Sequence, residues 1–279
     1  MKRLTLFIAV VAAFCMCGQA QEVKNGAIEV GDYSSASEIY NGSYFDMAPT
    51  NFYMSHTGVQ MIYTPDLLTD MEGKENVAIT ELRFKFYSET FEEIGRNYKV
   101  YLQETDATEF AVNEDGVKQF FIFDLMPALE GSMYIDMLSY YGEDFEISFP
   151  TPTENPFTFT PGKSLLVTIV FDAEDDENCT MGSDYAPFYT SGIRGKAMTY
   201  TNNWNSFVDY AMGNDFPNAT ATLGCGTNVE LPVTRIEYTY TEGGGGEIGQ
   251  RGDTNLDGQV TIGDVTTLID FLLSGEWPE

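Results

Sequence analysis

From residue 21 to about residue 240 the apolar positions come in short runs, and no helical period is sustained. The runs are rich in aromatic and β-branched residues and are split by Gly, Pro, Asn and Asp, which is how strands and turns read. They include "FYMS" (52–55), "VQMIYT" (59–64), "AITELRFKFYS" (78–88), "YKVYLQET" (98–105), "FTFT" (157–160), "SLLVTIVFDA" (164–173) and "PVTRIEYTY" (232–240). In "ITELRFKFY" the apolar Ile79, Leu82, Phe84 and Phe86 broadly alternate with Thr80, Arg83, Lys85 and Tyr87, so one face is expected buried and the other wet. "LLVTIVF" is nearly continuous and predicts a central strand covered on both sides. "ENPFTFTPGKSLLVTIVF" predicts a strand, a Pro-Gly turn and a returning strand. A segment of this length can bury one sizeable core. The expected fold is mainly β: a jelly-roll-like antiparallel β-sandwich over 21–240.

The pattern changes after "YTY". Four consecutive glycines, Gly243 to Gly246, mark 241–250 as a flexible linker. Next comes "GDTNLDGQVTIGD" (252–264), followed by "IGDVTTLIDFLLSGEW". In the latter, Val265, Leu268, Ile269 and Leu272 fall at i, i+3, i+4 and i+7, an amphipathic helix ending near Ser274-Gly275. The residues before it place oxygen-bearing side chains at the spacing of an EF-hand calcium loop. Counting from Asp253 as position 1, Asn255 is 3, Asp257 is 5, Gly258 is 6, Gln259 is 7, Thr261 is 9 and Asp264 is 12. Asp253, Asn255 and Asp257 would supply side-chain oxygens and Gln259 its backbone carbonyl. Thr261 would ligate directly or through water, and Asp264 would close the shell. Gly258 permits the sharp turn, and Val260 at position 8 anchors the loop. A dication turns the repulsion among these carboxylates into attraction. "RGD" at 251–253 is read as coincidence, since Asp253 belongs to the loop.

Charge and the amino terminus narrow the setting. The chain opens "MKRLTLFIAVVAAFCMCGQAQ": a basic start, an apolar stretch too short to span a bilayer comfortably, and small residues before Gln21. This predicts a signal peptide over 1–20, cleavage before Gln21, and a secreted or cell-surface location. Phe14 and Met16 stand before Cys15 and Cys17 where a lipid anchor would want a small residue, so soluble export is expected. Cleavage removes Lys2 and Arg3 and no acid, taking the net charge from −29 to −31. Such a surface repels nucleic acid and anionic membranes and suits cations. No later stretch is apolar enough to cross a bilayer. Cys179 and Cys225 remain, as one disulfide or as buried thiols.

Signals for catalysis are sparse. His56 is the single histidine, expected in a loop before a strand, with no nucleophile pattern beside it. The acid-rich "AEDDEN" (173–178) and "GEDFEI" (142–147) read as acidic loops or a weak second cation site; in "EDDE" consecutive residues would alternate faces, so not all could share a cleft. Trp204, in "TYTNNWNSF", suits either a sugar-stacking loop or an ordinary surface position.

Two resemblances add to this. "NFYMSHTGVQMIYTPDLL" with "ITELRFKFYSETFEEIGRNYKVYLQETD" resembles β-sandwich modules of secreted and surface proteins of anaerobic gut-type bacteria, over roughly residues 45–175. Those modules are similar to carbohydrate-binding and adhesin sandwiches, which implies a binding role. "GDTNLDGQVTIGDVTTLIDFLLSG" closely resembles one type I dockerin repeat, so 251–279 is expected to be a dockerin-like calcium loop and helix. Dockerins usually carry two repeats, and this chain shows one. The helix stripe of Val265, Leu268, Ile269 and Leu272 is therefore expected to dock on the sandwich, on a second copy, or on a cohesin-like or cell-surface partner. Loop positions 10 and 11, often small hydroxyl residues where cohesin is contacted, are Ile262 and Gly263 here. The function expected is a secreted, non-catalytic Ca2+-binding protein whose sandwich takes a glycan or surface partner. The alternative is an accessory polysaccharide-degrading enzyme, an O-glycosyl hydrolase with a dockerin tail.

Overall fold

The computed structural model describes residues 22–33, 48–50, 55–88, 93–123, 126–172, 188–202, 206–208, 225–242 and 262–274. Within them the strands are β1 (Val23–Val30), β2 (His56–Tyr63), β3 (Lys74–Tyr87), β4 (Glu93–Thr105), β5 (Leu129–Asp136) and β6 (Asp144–Pro150). They continue with β7 (Phe157–Phe159), β8 (Ser164–Asp172), β9 (Thr190–Asn202), β10 (Cys225–Pro232) and β11 (Thr234–Glu242). A helix, α1 (Ile262–Ser274), follows. Asn25–Tyr240 form one compact unit, and α1 belongs to another.

Two sheets make a β-sandwich. One runs β1-β11-β3-β6, with β7 also on β3; the other runs β10-β9-β2-β8-β4-β5. The pairs β1 with β11, β2 with β8, β3 with β6 and β4 with β5 nest one inside the next. That nesting is a jelly-roll winding, to which β9 and β10 add an antiparallel pair beyond β2.

The inner faces form the main core. Leu82, Phe84 and Phe86 of β3, Phe145, Ile147 and Phe149 of β6, and Ile236 of β11 meet Val59 and Met61 of β2 and Val167, Ile169 and Phe171 of β8. Phe149 bridges the sheets, its ring centroid 5.2 Å from Tyr98 and 6.0 Å from Phe171. The imperfect alternation of β3 has a structural cause. Its inward parity changes between Ile79 and Leu82, where its partner changes: Val77–Ile79 pair with β7 and Glu81–Tyr87 with β6.

The outer faces differ. On the five-stranded sheet the outer face carries a charge ladder, with Arg235 on Glu29 (2.8 Å) and Glu237 (3.1 Å), and Arg83 on Glu81 (2.7 Å). Burial works against ionised Glu81, but Arg83 and a hydrogen bond donated by Ser148 hold its carboxyl below the ordinary range. Burial likewise works against Asp144, which a Tyr189 hydroxyl and Lys85 (2.9 Å) hold low. A carboxylate with a depressed folded pKa contributes stability above its unfolded value, about 4, and loses it as pH falls through the folded value. Urea midpoints are therefore expected to drop below about pH 4, and to drop less steeply in Glu81→Gln/Asp144→Asn. Equal slopes in the two proteins would refute the assignment.

The six-stranded sheet is covered on its outer face as well. Ile62, Tyr101, Leu166, Val170, Met198 and Tyr200 are buried there under Phe110, Phe120, Phe123 and Phe207. The continuous apolar run of β8 is thus a strand buried on both faces. Gln60, fully buried in β2, clamps this outer layer. Its Nε2 donates to the Phe121 carbonyl (2.9 Å) and its Oε1 accepts from the Phe121 amide (2.7 Å). Gln60→Leu orphans both backbone groups and is expected to cost about 2–6 kcal/mol in urea unfolding, each buried unsatisfied group costing about 1–3 kcal/mol.

One sequence expectation is corrected. "FTFTPGKSLLVTIVF" does form a strand, a turn and a strand, but not a hairpin. β7 pairs with β3 while β8 lies in the other sheet between β2 and β4. The turn is real: Lys163 N donates to Thr160 O (3.2 Å), and Gly162 takes a φ of +91°, open to glycine. Thr160 N, on the β7 side, is tied to Glu104 of β4 in the other sheet, and Lys163, leading into β8, to Asp106 just past the end of β4. The chain therefore changes sheets at this corner.

Candidate functional site

The site is built where the sandwich is open. Among the described residues β5 ends one sheet and β6 ends the other, and the 3-10 turn Met137–Tyr140 joins them. Asp136 caps that turn: its Oδ1 accepts from Leu138 N (3.1 Å) and its Oδ2 from Ser139 Oγ (2.7 Å). Alternation along both strands then divides the cleft. Met133 and Ile135 of β5 with Phe145 and Ile147 of β6 turn apolar groups inward, while Glu146 and Ser148 face out. The resulting cleft has a volume of about 400 Å³ and also takes in Tyr134, Asp136, Ser139 and Tyr140. Tyr134 is 64% exposed and Tyr140 41% exposed. The Tyr140 ring is stacked on Phe145, centroids 5.3 Å apart and planes at 29°. Among the described residues no lysine, arginine, histidine or cysteine lines the cleft. It offers stacking surface and hydrogen-bond acceptors; its Ser139 hydroxyl is held by the Asp136 carboxylate, with no imidazole beside it among the described lining residues.

His56 opens β2 instead of lying in a loop before it. Its Nδ1 is 2.8 Å from Asp172 Oδ1, and Ser206 Oγ donates to Asp172 Oδ2 (3.1 Å). These three residue types invite comparison with a hydrolytic triad. The order is wrong for one: the serine hydroxyl is held by the carboxylate, whereas activation needs it on the imidazole. Beside them burial, with the Asp172 and Glu130 charges, pushes the Tyr101 phenol up to about 12. The cluster fastens Ser206–Val208 to the ends of β2 and β8, and Phe207 is buried in consequence.

Of the calcium residues, Asp253, Asn255, Asp257, Gln259 and Thr261 lie outside the described residues. Asp264 falls in the first turn of α1, with its side chain outside the description. Among the described residues no group of three or more His, Cys, Asp or Glu could hold a metal. On α1, Val265, Ile269, Leu272 and Leu273 are exposed and Leu268 is half-buried. Trp204, Cys179 and "AEDDEN" lie outside the described residues, as does the side chain of Cys225. "GEDFEI" is the turn into β6, with Phe145 and Ile147 inward and the acids outward. No helix among the described residues is long and apolar enough to cross a membrane.

The cleft itself escaped sequence reading. Its signal was available in "SMYIDMLSYYGEDFEIS", where tyrosines and serines surround an Asp-capped turn beside an alternating strand. What could not be read is that β5 and β6 end opposite sheets.

These features define a jelly-roll β-sandwich with an aromatic-walled cleft at its open edge. No protein-family model and no curated protein matches the chain. One similar solved structure is the cysteine protease and lectin-like domains of Cwp84, a surface layer associated protein of Clostridium difficile. It is 13% identical at a TM-score of 0.31, over 67% of this chain and 32% of that one. Another is infectious bursal disease virus, Gx strain, 11% identical at a TM-score of 0.21, over 92% of this chain and 49% of that one. The chain thus spans about a third and about half of those two chains. Likenesses this slight carry no argument about function.

Proposed function

We propose that the protein is a secreted, non-catalytic Ca2+-binding protein whose sandwich binds a glycan or a surface partner. Its C-terminal loop and helix then act as a dockerin-like docking module. The observation that supports this reading best is the cleft between β5 and β6, which Tyr134, Tyr140, Asp136 and Glu146 line. The spacing from Asp253 to Asp264 supports calcium, and the exposed stripe of Val265, Ile269 and Leu272 supports docking through α1. The amino-terminal 20 residues support export.

The glycoside hydrolase alternative has one observation in its favour, the presence of both Asp136 and Glu146 in the cleft. Against it, both oxygens of Asp136 already serve the turn that follows β5. A glycan array and a reducing-sugar assay on residues 21–279, with calcium present, separate the two. Binding without sugar release is expected. Sugar release abolished by Asp136→Asn or Glu146→Gln would replace this reading with the enzymatic one.

A further inference from the structure

If the cleft binds a glycan, as the proposed function holds, its walls and rim also limit which glycans fit. Resting on that reading, we infer that the open-edge cleft takes an uncharged, hydroxyl-rich oligosaccharide and rejects anionic ones.

The walls set the first requirement. Tyr140 presents a partly exposed ring, Met133 and Ile135 lie half-buried on the inward face of β5, and Tyr134, on the other face of that strand, is exposed at the rim. The aliphatic C–H face of a pyranose packs on such rings while its hydroxyls reach the rim. Tyr140 is already fixed, because its ring rests on Phe145, which is 6% exposed. A platform held in place before binding loses little freedom when a ligand arrives. The volume, about 400 Å³, falls in the range of small-ligand clefts, roughly 300–1,000 Å³.

The rim sets the second requirement. Its charged groups are Asp136 and Glu146, both acceptors when ionised. Asp136 is oriented by Leu138 N and Ser139 Oγ, so its remaining lone pairs point in a fixed direction. Sugar hydroxyls can donate to these carboxylates; the ionised carboxylate of a uronate or a sulfate group cannot, and is repelled by them. Cations on the neighbouring strands make their closest ion pairs elsewhere, although the Arg83 charge also acts on Glu146. Lys85, which pairs in register with Glu146, reaches Asp144 at 2.9 Å, and Arg83 reaches Glu81 and Glu237 at 2.7 and 3.4 Å. Arg96, in register with Met133, is buried and donates to the Gly95 carbonyl at 2.8 Å. An anionic sugar entering here would meet two carboxylates and, among the described residues, no lining counter-charge, on a chain of net charge −29.

The edges decide against an added peptide strand. β6 reads "DFEISFP", with outward acids at Asp144 and Glu146 and a proline at its end, devices that discourage strand addition. The 3-10 turn Met137–Tyr140 also interrupts the line between the two edges.

The test is calorimetry on the mature chain with calcium present. The neutral probes are cellohexaose, xylohexaose and mannohexaose; the anionic probes are hexagalacturonate and a heparin hexasaccharide. At least one neutral probe is expected to bind. Tyr140→Ala is expected to weaken it about tenfold or more, the size of one lost contact of about 1.4 kcal/mol. Tyr134→Ala, at a more exposed position, and Glu146→Gln are expected to weaken it several-fold, with melting temperatures checked for each. Raising salt from about 0.05 to 0.5 M shortens the Debye length about threefold and is expected to leave the neutral affinity nearly unchanged. Binding of an anionic probe that Tyr140→Ala abolishes would overturn the inference and leave the glycan-binding reading intact. A neutral probe indifferent to all three substitutions would also overturn it, by placing the site elsewhere. If no glycan binds and an extended peptide does, the inference and the reading beneath it fall together.

Discussion

Replacing Phe207 with alanine is expected to lower the unfolding free energy by about 3–5 kcal/mol, the usual cost of deleting a buried aromatic side chain. Phe207 is fully buried on the outer face of the six-stranded sheet. It stacks on Phe123 (5.6 Å, 11°) and meets Phe120 edge-on at 5.0 Å and Tyr200 at 5.3 Å. The ring sits directly on β2. A Cβ added at Gly58 would lie 2.1 Å from Phe207 Cγ, closer than any real contact allows. Gly58→Ala must therefore displace the ring, at a cost of about 1–3 kcal/mol or more. The two substitutions are coupled, because removing the ring makes room for the methyl group. In urea unfolding the double variant is expected to lose less than the sum of the single losses. Additivity within about 0.5 kcal/mol would mean that Phe207 does not lie over Gly58.

The second large effect concerns calcium. The mature chain is expected to bind about one Ca2+ in calorimetry, and Asp253→Ala/Asp257→Ala is expected to bind none. These residues stand at positions 1 and 5 of the loop, where the ion takes side-chain carboxylate oxygens. At free calcium about 100-fold above Kd, the bound ion would stabilise the folded loop–helix segment by about 2.7 kcal/mol. The helical circular-dichroism signal of α1 is thus expected to melt at higher temperature with calcium in the wild type alone. Identical titrations of the two proteins would reduce "GDTNLDGQVTIGD" to an acidic turn and remove the physical basis of the dockerin resemblance.

Periodicity made much of the sandwich legible in the sequence. β2, β3, β4, β8 and β11 all lie on visible apolar runs, because a half-buried or doubly buried strand must show its burial as side-chain pattern. The run "LLVTIVF" even announced the second apolar layer, though not that Phe110, Phe120, Phe123 and Phe207 supply it. Partnership was not legible. Phe157–Phe159 and Ser164–Asp172 look like a hairpin locally, yet they pair with β3 and with β2 and β4, since pairing is settled by which edge is vacant across the fold. The same limit hid the cleft: Tyr134 and Tyr140 were readable, but the meeting of two sheet edges beside them was not. The calcium ligands are the opposite case, proposed from spacing alone because a metal loop is local chemistry.

The nested winding has a kinetic consequence. β1 hydrogen-bonds β11, so the first and last strands of the sandwich are neighbours, and β2 must wait for β8. Few of its defining contacts are local, which places the protein among slow-folding, high-contact-order chains. A chain emerging from a membrane channel amino terminus first cannot close such a roll until residue 234 and its successors have appeared. Under the proposed export, passage would proceed with the sandwich unformed. The interval before closure is when its unpaired apolar strands are most open to chaperones, proteases and one another.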